Sequence, residues 1–158
     1  MKFRFAACLL LPFMAAAAHS QTPLRVACVG DSITYGDKID DREARSYPAA
    51  LERLAQGRLE VGNFGVNGAT ALPTFFRTWT DTLACRRALE SAPGAVVVML
   101  GINDLLGFRD RLDDYPAALR AVVARFQALP SNPRLFLCTL TPIAPPESAQ
   151  DVNRLIRE

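Results

Sequence analysis

Histidine is what this chain most visibly lacks. Among 158 residues there is one, His19. A single imidazole excludes a multi-histidine metal centre, and no Cys/His cluster has metal-ligand spacing. Cysteine is sparse as well, with four residues and no Cys-x-x-Cys pair. Cys28 and Cys138 sit inside strand-like apolar runs, so they read as packed thiols rather than a disulfide framework, with Cys85 the third thiol beyond residue 20. Charge of one sign is missing: 18 basic against 16 acidic side chains leave a formal +2. No basic stripe argues for nucleic acid. Past residue 20 no apolar run is long enough to span a bilayer. Internal repeats and low-complexity tracts are absent. No glycine-rich cradle ends in Gly-Lys-Ser/Thr, which weighs against a nucleotide-binding flavodoxin-like domain. No metal and no cofactor is expected.

What is there begins with an export pattern. Lys2 and Arg4 precede an almost wholly apolar stretch, residues 5–18, and Ala18-His19-Ser20 places small residues before a cleavage point. That is the layout of a signal peptide over residues 1–20, cut after Ser20, too short for a comfortable membrane span. The expected product is one domain, residues 21–158, formally neutral without Lys2 and Arg4 and long enough for a real core. It would be secreted or periplasmic, with no stable membrane insertion once the signal is removed.

Strands and helices alternate along that domain. Residues 25–29, 59–64, 95–100 and 135–140 read as strands. The run 95–100, Ala-Val-Val-Val-Met-Leu, is apolar without alternation, as a central parallel strand covered on both faces should be. Helices are expected from a Ser46 cap to Gly57, over residues 81–89, from Asp113 or Asp114 to about residue 129, and from residue 150 onward. Residues 37–45, 65–73 and 101–111 read as loops. Phe75, Phe76 and Trp79 read first as core packing under a loop, with a sugar platform or lid as the second reading. The pattern predicts a three-layer α/β/α domain on a parallel sheet.

The first strand breaks at Gly30-Asp31-Ser32. Gly30 allows a sharp turn, and Asp31 and Ser32 suit a turn or a helix start. Taken alone, that is ordinary turn chemistry. Yet the serine hydroxyl would stand at the carboxyl end of a strand, where open α/β sheets bind ligands. Two more loops follow strand ends, Asn63-Phe64-Gly65-Val66-Asn67-Gly68-Ala69-Thr70 and Gly101-Ile102-Asn103-Asp104. An ester hydrolase needs donors aimed at a developing oxyanion, and backbone N–H groups and an uncharged asparagine amide suit that task.

These three blocks resemble the SGNH-hydrolase superfamily, also called GDSL-type esterases. The first matches its Gly-Asp-Ser block, the second its glycine donor at Gly68, the third its Gly-x-Asn-Asp block from Gly101 to Asp104. Asp41-Arg42, Ser46-Tyr47-Pro48-Ala49 and Asn63-Phe64-Gly65-Val66 further resemble a bacterial branch described as sialate O-acetylesterase-like. The resemblance implies a flavodoxin-like SGNH fold with Ser32 as nucleophile. It also implies an oxyanion hole built from the Ser32 and Gly68 N–H groups and the Asn103 side chain, with Gly30, Asp31, Gly101 and Asp104 as supporting residues. The implied substrate is a small-molecule or carbohydrate ester, most simply an acetylated sugar.

The departure is as informative. The family carries an Asp-x-x-His block whose histidine takes the serine proton, and no such block occurs here; Asp151 is followed by Val-Asn-Arg. The catalytic histidine and its aspartate are therefore absent from these 158 residues. The expectation is a chain truncated before a last strand and helix, inactive or very weak alone. The competing reading is a non-catalytic pseudoenzyme that binds acylated sugars.

Overall fold

The computed structural model describes residues 22–141 and 146–157; the expected signal peptide lies outside them. Four strands, β1 Leu24–Gly30, β2 Leu59–Gly65, β3 Ala95–Met99 and β4 Arg134–Leu137, form one sheet in the order β2-β1-β3-β4. Every pairing is parallel, with Gly30 opposite Gly65 on one side and Met99 on the other. The connections are helical: α1 Ser32–Tyr35, α2 Arg42–Arg45, α3 Tyr47–Leu54, α4 Leu83–Glu90, α5 Ile102–Gly107, α6 Tyr115–Gln127 and α7 Pro146–Arg157.

Strand periodicity builds the layers. Successive side chains of β1 and β3 point to opposite faces. Ala27, Val29, Val96 and Val98 meet Cys85 and Ala88 of α4 and Leu119, Val122 and Phe126 of α6. On the other face Val26, Cys28 and Ala95 meet Tyr47 and Leu51 of α3. Both faces are covered, so the expected three-layer α/β domain is the observed one. Trp79, Tyr115 and Phe126 are the largest fully buried side chains, each stabilising the fold by about 1.5–3 kcal/mol through burial. Cys28, Cys85 and Cys138 are free thiols, as expected for Cys28 and Cys138.

Several local expectations are corrected. Residues 101–111 are not loop: α5 and a 3-10 segment, Arg109–Asp114, occupy them. The expected loop 37–45 contains α2. Ser46 has extended capping geometry, but its hydroxyl makes no capping bond; the residue is buried at the junction of α2 and α3. The helix expected from residue 81 starts at Leu83, because Thr82 is the residue that caps it, accepting from Cys85 N–H at 3.2 Å. α6 begins at Tyr115, one residue past Asp114, which makes no side-chain cap. β4 ends at Leu137 rather than residue 140; Leu140 N–H instead donates to Asn153 Oδ1 of α7 at 2.7 Å. α7 starts at Pro146, earlier than its expected start at residue 150.

The sheet order fixes where a site can form. The chain leaves β1 toward β2 and returns across it to β3, so the connections diverge at the carboxyl ends of β1 and β3. Such a switch point opens a crevice outside the sheet edge.

Candidate active site

Ser32 sits at the first position of α1, directly after β1. Asp31 caps that turn, its Oδ1 accepting from Ile33 N–H at 2.9 Å. The turn is tight because the end of β1 touches its neighbours. A Cβ at Gly30 would collide with Thr34 Oγ1 and with the Met99 carbonyl, and one at Gly65 with the backbone of Tyr35. Two glycines at paired positions thus let α1 lie against the sheet edge. Ser32 is half-buried.

The second loop leaves β2 and is pinned from several sides. Val66 N–H donates to Gly30 O at 3.0 Å. Asn67 Nδ2 donates to Asp37 Oδ1 at 3.0 Å, and Arg77 Nη1 donates to Asn67 O at 2.8 Å. Gly68 has φ +75°, the left-handed region that a side chain resists. Its N–H donates to no described residue, while the next amide, Ala69, bonds Val66 O at 3.0 Å.

The third loop supplies Asn103 and Asp104 from α5. Gly101 starts it at φ +127°, packed under the Tyr115 hydroxyl and Val152. Asn103 Nδ2 donates one hydrogen to Ala69 O at 2.9 Å; its second N–H has no described partner. Asp104 is fully buried and accepts from Leu72 N–H at 2.7 Å and Ala71 N–H at 3.1 Å. The third block therefore holds the second in place through main-chain atoms.

Electrostatics at the sheet edge are unusual. Burial pushes the Asp31 carboxyl up to about 6, the Ile33 N–H pulls the other way, and the nearby Asp104 charge adds to the rise. Burial likewise raises Asp104 against the pull of its two N–H partners. Asp31 Oδ2 is buried without a hydrogen-bond partner. Two carboxyls in a dry setting resist ionising together.

A cavity of about 570 Å³ opens here, lined by Asn67, Gly68 and Asn103 together with Phe75, Phe76 and Phe108. β1 lies between the two strands whose loops line it. Ser32 does not itself line the cavity; it stands at the strand end between those loops. The structure thus brings Gly30, Asp31, Ser32, Gly68, Gly101, Asn103 and Asp104 to one end of the sheet. It corrects one reading: Trp79 is core, its Nε1 bonding Phe64 O at 2.9 Å, but Phe75 and Phe76 are 88% and 77% exposed. Sequence reasoning also passes over Asp37, Arg77 and Phe108, which hold or line the site. Asp37 and Arg77 had no local signal, since Asp37 reaches Asn67 across the fold and Arg77 reaches it from the far side of the same loop. Among the described residues, no group of three His, Cys, Asp or Glu could hold a metal ion.

A strand-end serine at the switch point of a parallel sheet, flanked by a glycine loop and an Asn-Asp loop, defines the class. Residues 28–158 match the GDSL-like Lipase/Acylhydrolase family, and the chain belongs to it. An acetylxylan esterase of Xylanibacter ruminicola is 33% identical over 147 residues, covering 82% of this chain and 31% of that protein. The match thus spans about a third of that relative's length. Among solved structures, TesA superposes with a TM-score of 0.63 at 23% identity, covering 83% of this chain and 69% of that one. An acetyl xylan esterase superposes with a TM-score of 0.59 at 22% identity, covering 85% and 69%. These superpositions show a shared fold.

Proposed function

We propose that this chain carries the nucleophile and oxyanion-binding part of a serine ester hydrolase that removes acetyl groups from carbohydrates. The observation that carries the reading is the convergence of Ser32 with two unspent donors, the Gly68 N–H and the second Asn103 N–H, around one end of the sheet. The likeness to an acetylxylan esterase supports the choice of acetyl and of a sugar. In the proposed reaction Ser32 Oγ attacks the acetyl carbonyl carbon as its proton passes to a base. The carbonyl oxygen takes up the negative charge between the Ser32 N–H, the Gly68 N–H and the Asn103 amide. The C–O bond to the sugar breaks, the sugar hydroxyl leaves with the proton, and water then releases acetate from Ser32.

The base is the part that these residues do not contain. The resemblance assigns it to an Asp-x-x-His block, and no described residue is a histidine. The 158-residue chain should therefore be a very weak esterase on its own, retaining only what an oxyanion hole and binding supply. The apolar leader over residues 1–20 fits export, so the proposed site of action is outside the cytoplasm.

The test is acetate release from acetylated xylotriose by the 158-residue chain, with imidazole in the buffer as an external base. Release should depend on imidazole, vanish in Ser32→Ala and fall by about 10²–10³-fold in Asn103→Ala. Release by Ser32→Ala equal to the parent rate would end the nucleophile assignment. A chain that binds the ester and never turns it over would favour the pseudoenzyme.

A further inference from the structure

The two most exposed aromatic side chains of the described residues stand beside the candidate site, and nothing in the fold needs them there. Phe75 and Phe76 are in contact with each other, ring centroids 4.8 Å apart and planes tilted by 44°. They are not on a loose strand of chain. The loop that bears them is closed at its base: Thr70 N–H donates to Arg77 O at 3.0 Å, and Trp79 N–H donates to Thr70 O at 2.9 Å. Inside that closure Thr70 Oγ1 donates to Leu72 O at 2.8 Å, and Thr78 Oγ1 accepts from Thr74 N–H at 3.0 Å. Arg111 Nη1 holds Pro73 O from outside at 3.0 Å. A clamped loop therefore presents two phenyl rings at its tip, over a cavity shared with Gly68 and Asn103.

We infer that the Phe75–Phe76 tip is a leaving-group subsite on which the pyranose ring of the acylated carbohydrate rests. The inference builds on the ester-hydrolase reading of the same cavity. An acetyl group fills only a small part of about 570 Å³, so most of that space must serve the rest of the substrate. Two chemistries compete for it. A long alkyl chain wants apolar enclosure on every side. Here the wall is mainly apolar but open: the phenyl rings face water, and Arg77, Asn67 and Asn103 stand among the lining residues. A pyranose ring matches that mixture. Its C–H face suits the electron-rich face of a phenyl ring, and its hydroxyls suit the amides and the guanidinium donors Arg77 does not spend on Asn67. Arg77, next to Phe76 in the chain, also donates to Asn67 O at 2.8 Å, so one side chain links the subsite to the Gly68 loop.

The experiment uses the 158-residue chain with labelled phenylalanine rings, titrated separately with xylotriose and with octanoate, and read by NMR. Xylotriose should shift the Phe75 and Phe76 ring signals in a saturable way. Phe75→Ala and Phe76→Ala should each weaken that binding by about 3- to 10-fold, without unfolding, because both rings are exposed. Phe136→Ala, also exposed but on β4, should leave it unchanged. Unchanged xylotriose affinity in both loop variants, the absence of any ring shift, or stronger shifts with octanoate would each overturn the subsite. None of those results touches the hydrolase reading, which stands or falls on acetate release by Ser32→Ala.

Discussion

Replacing Asp104 by alanine should loosen the very loop that carries Gly68 and the aromatic tip. The carboxylate is fully buried and receives the Leu72 N–H at 2.7 Å and the Ala71 N–H at 3.1 Å. Neither amide has another described acceptor, and both residues are buried. Leaving a buried donor unsatisfied costs about 1–3 kcal/mol, so two of them cost about 2–6 kcal/mol. Some of this is offset, because the variant no longer buries a group whose ionisation burial opposes. A loss of about 3 kcal/mol is expected, a large fraction of a typical domain's stability. Asp104→Asn should lose about half as much, since one side-chain oxygen can still accept from Leu72. Trp79 is the chain's only tryptophan and is buried at the base of the same loop. Urea unfolding followed by its fluorescence reads the effect at the right place. An alanine variant within 1 kcal/mol of the parent would show that the two amides find other acceptors and that the loop does not depend on Asp104.

Two further outcomes can be checked alongside the acetate-release and sugar-titration measurements. Asp31 titrates near 3.8 when unfolded and near 6 when folded. Between those values the folded form keeps a proton the unfolded form has lost, so stability falls as pH rises through about 4 to 6; Asp31→Asn, which keeps the oxygen facing Ile33, should flatten that slope in a series of urea midpoints, and an unchanged slope would refute the assignment. Gly101→Ala should be severe, because its φ of +127° is strained for any side chain and its Cβ would sit 2.7 Å from the Tyr115 hydroxyl; loss of the Tyr115–Leu100 hydrogen bond and of several kcal/mol by denaturation is expected, and a near-parental midpoint would count against it.

The parts of this fold that were legible in the sequence are those where one residue type has one physical reason to be present. The apolar run at residues 95–100 reads as a strand covered on both faces, and all but its last residue form β3. Gly30 reads as a turn residue, and it lies where a Cβ would meet Thr34 and the Met99 carbonyl. The rest required partners far along the chain. α5 escaped notice because a six-residue helix between Gly101 and Gly107 has too few turns to show a period. Ser46 has the residue type and backbone of a cap, yet its hydroxyl makes no such bond. Phe75 and Phe76 look like core because phenylalanine usually is core; only the clamp formed by Thr70 and Thr78 shows that they are held outward. The Asn67 tethers from Asp37 and Arg77 carry no local pattern at all.

The loop between β2 and α4 is gripped from outside at main-chain atoms, the Ala69 and Pro73 carbonyls and the Ala71 and Leu72 amides, while the Asn67, Thr70, Arg77 and Thr78 side chains tie it from within. Residues 75 and 76 contribute no side-chain atom to that anchoring. Selection can therefore rewrite the tip without renegotiating the frame. In a lineage, such a loop would change what the cavity accepts by a few codons while its attachment stayed constant. In the laboratory, it marks these two positions as the place to randomise first when a different ester is wanted.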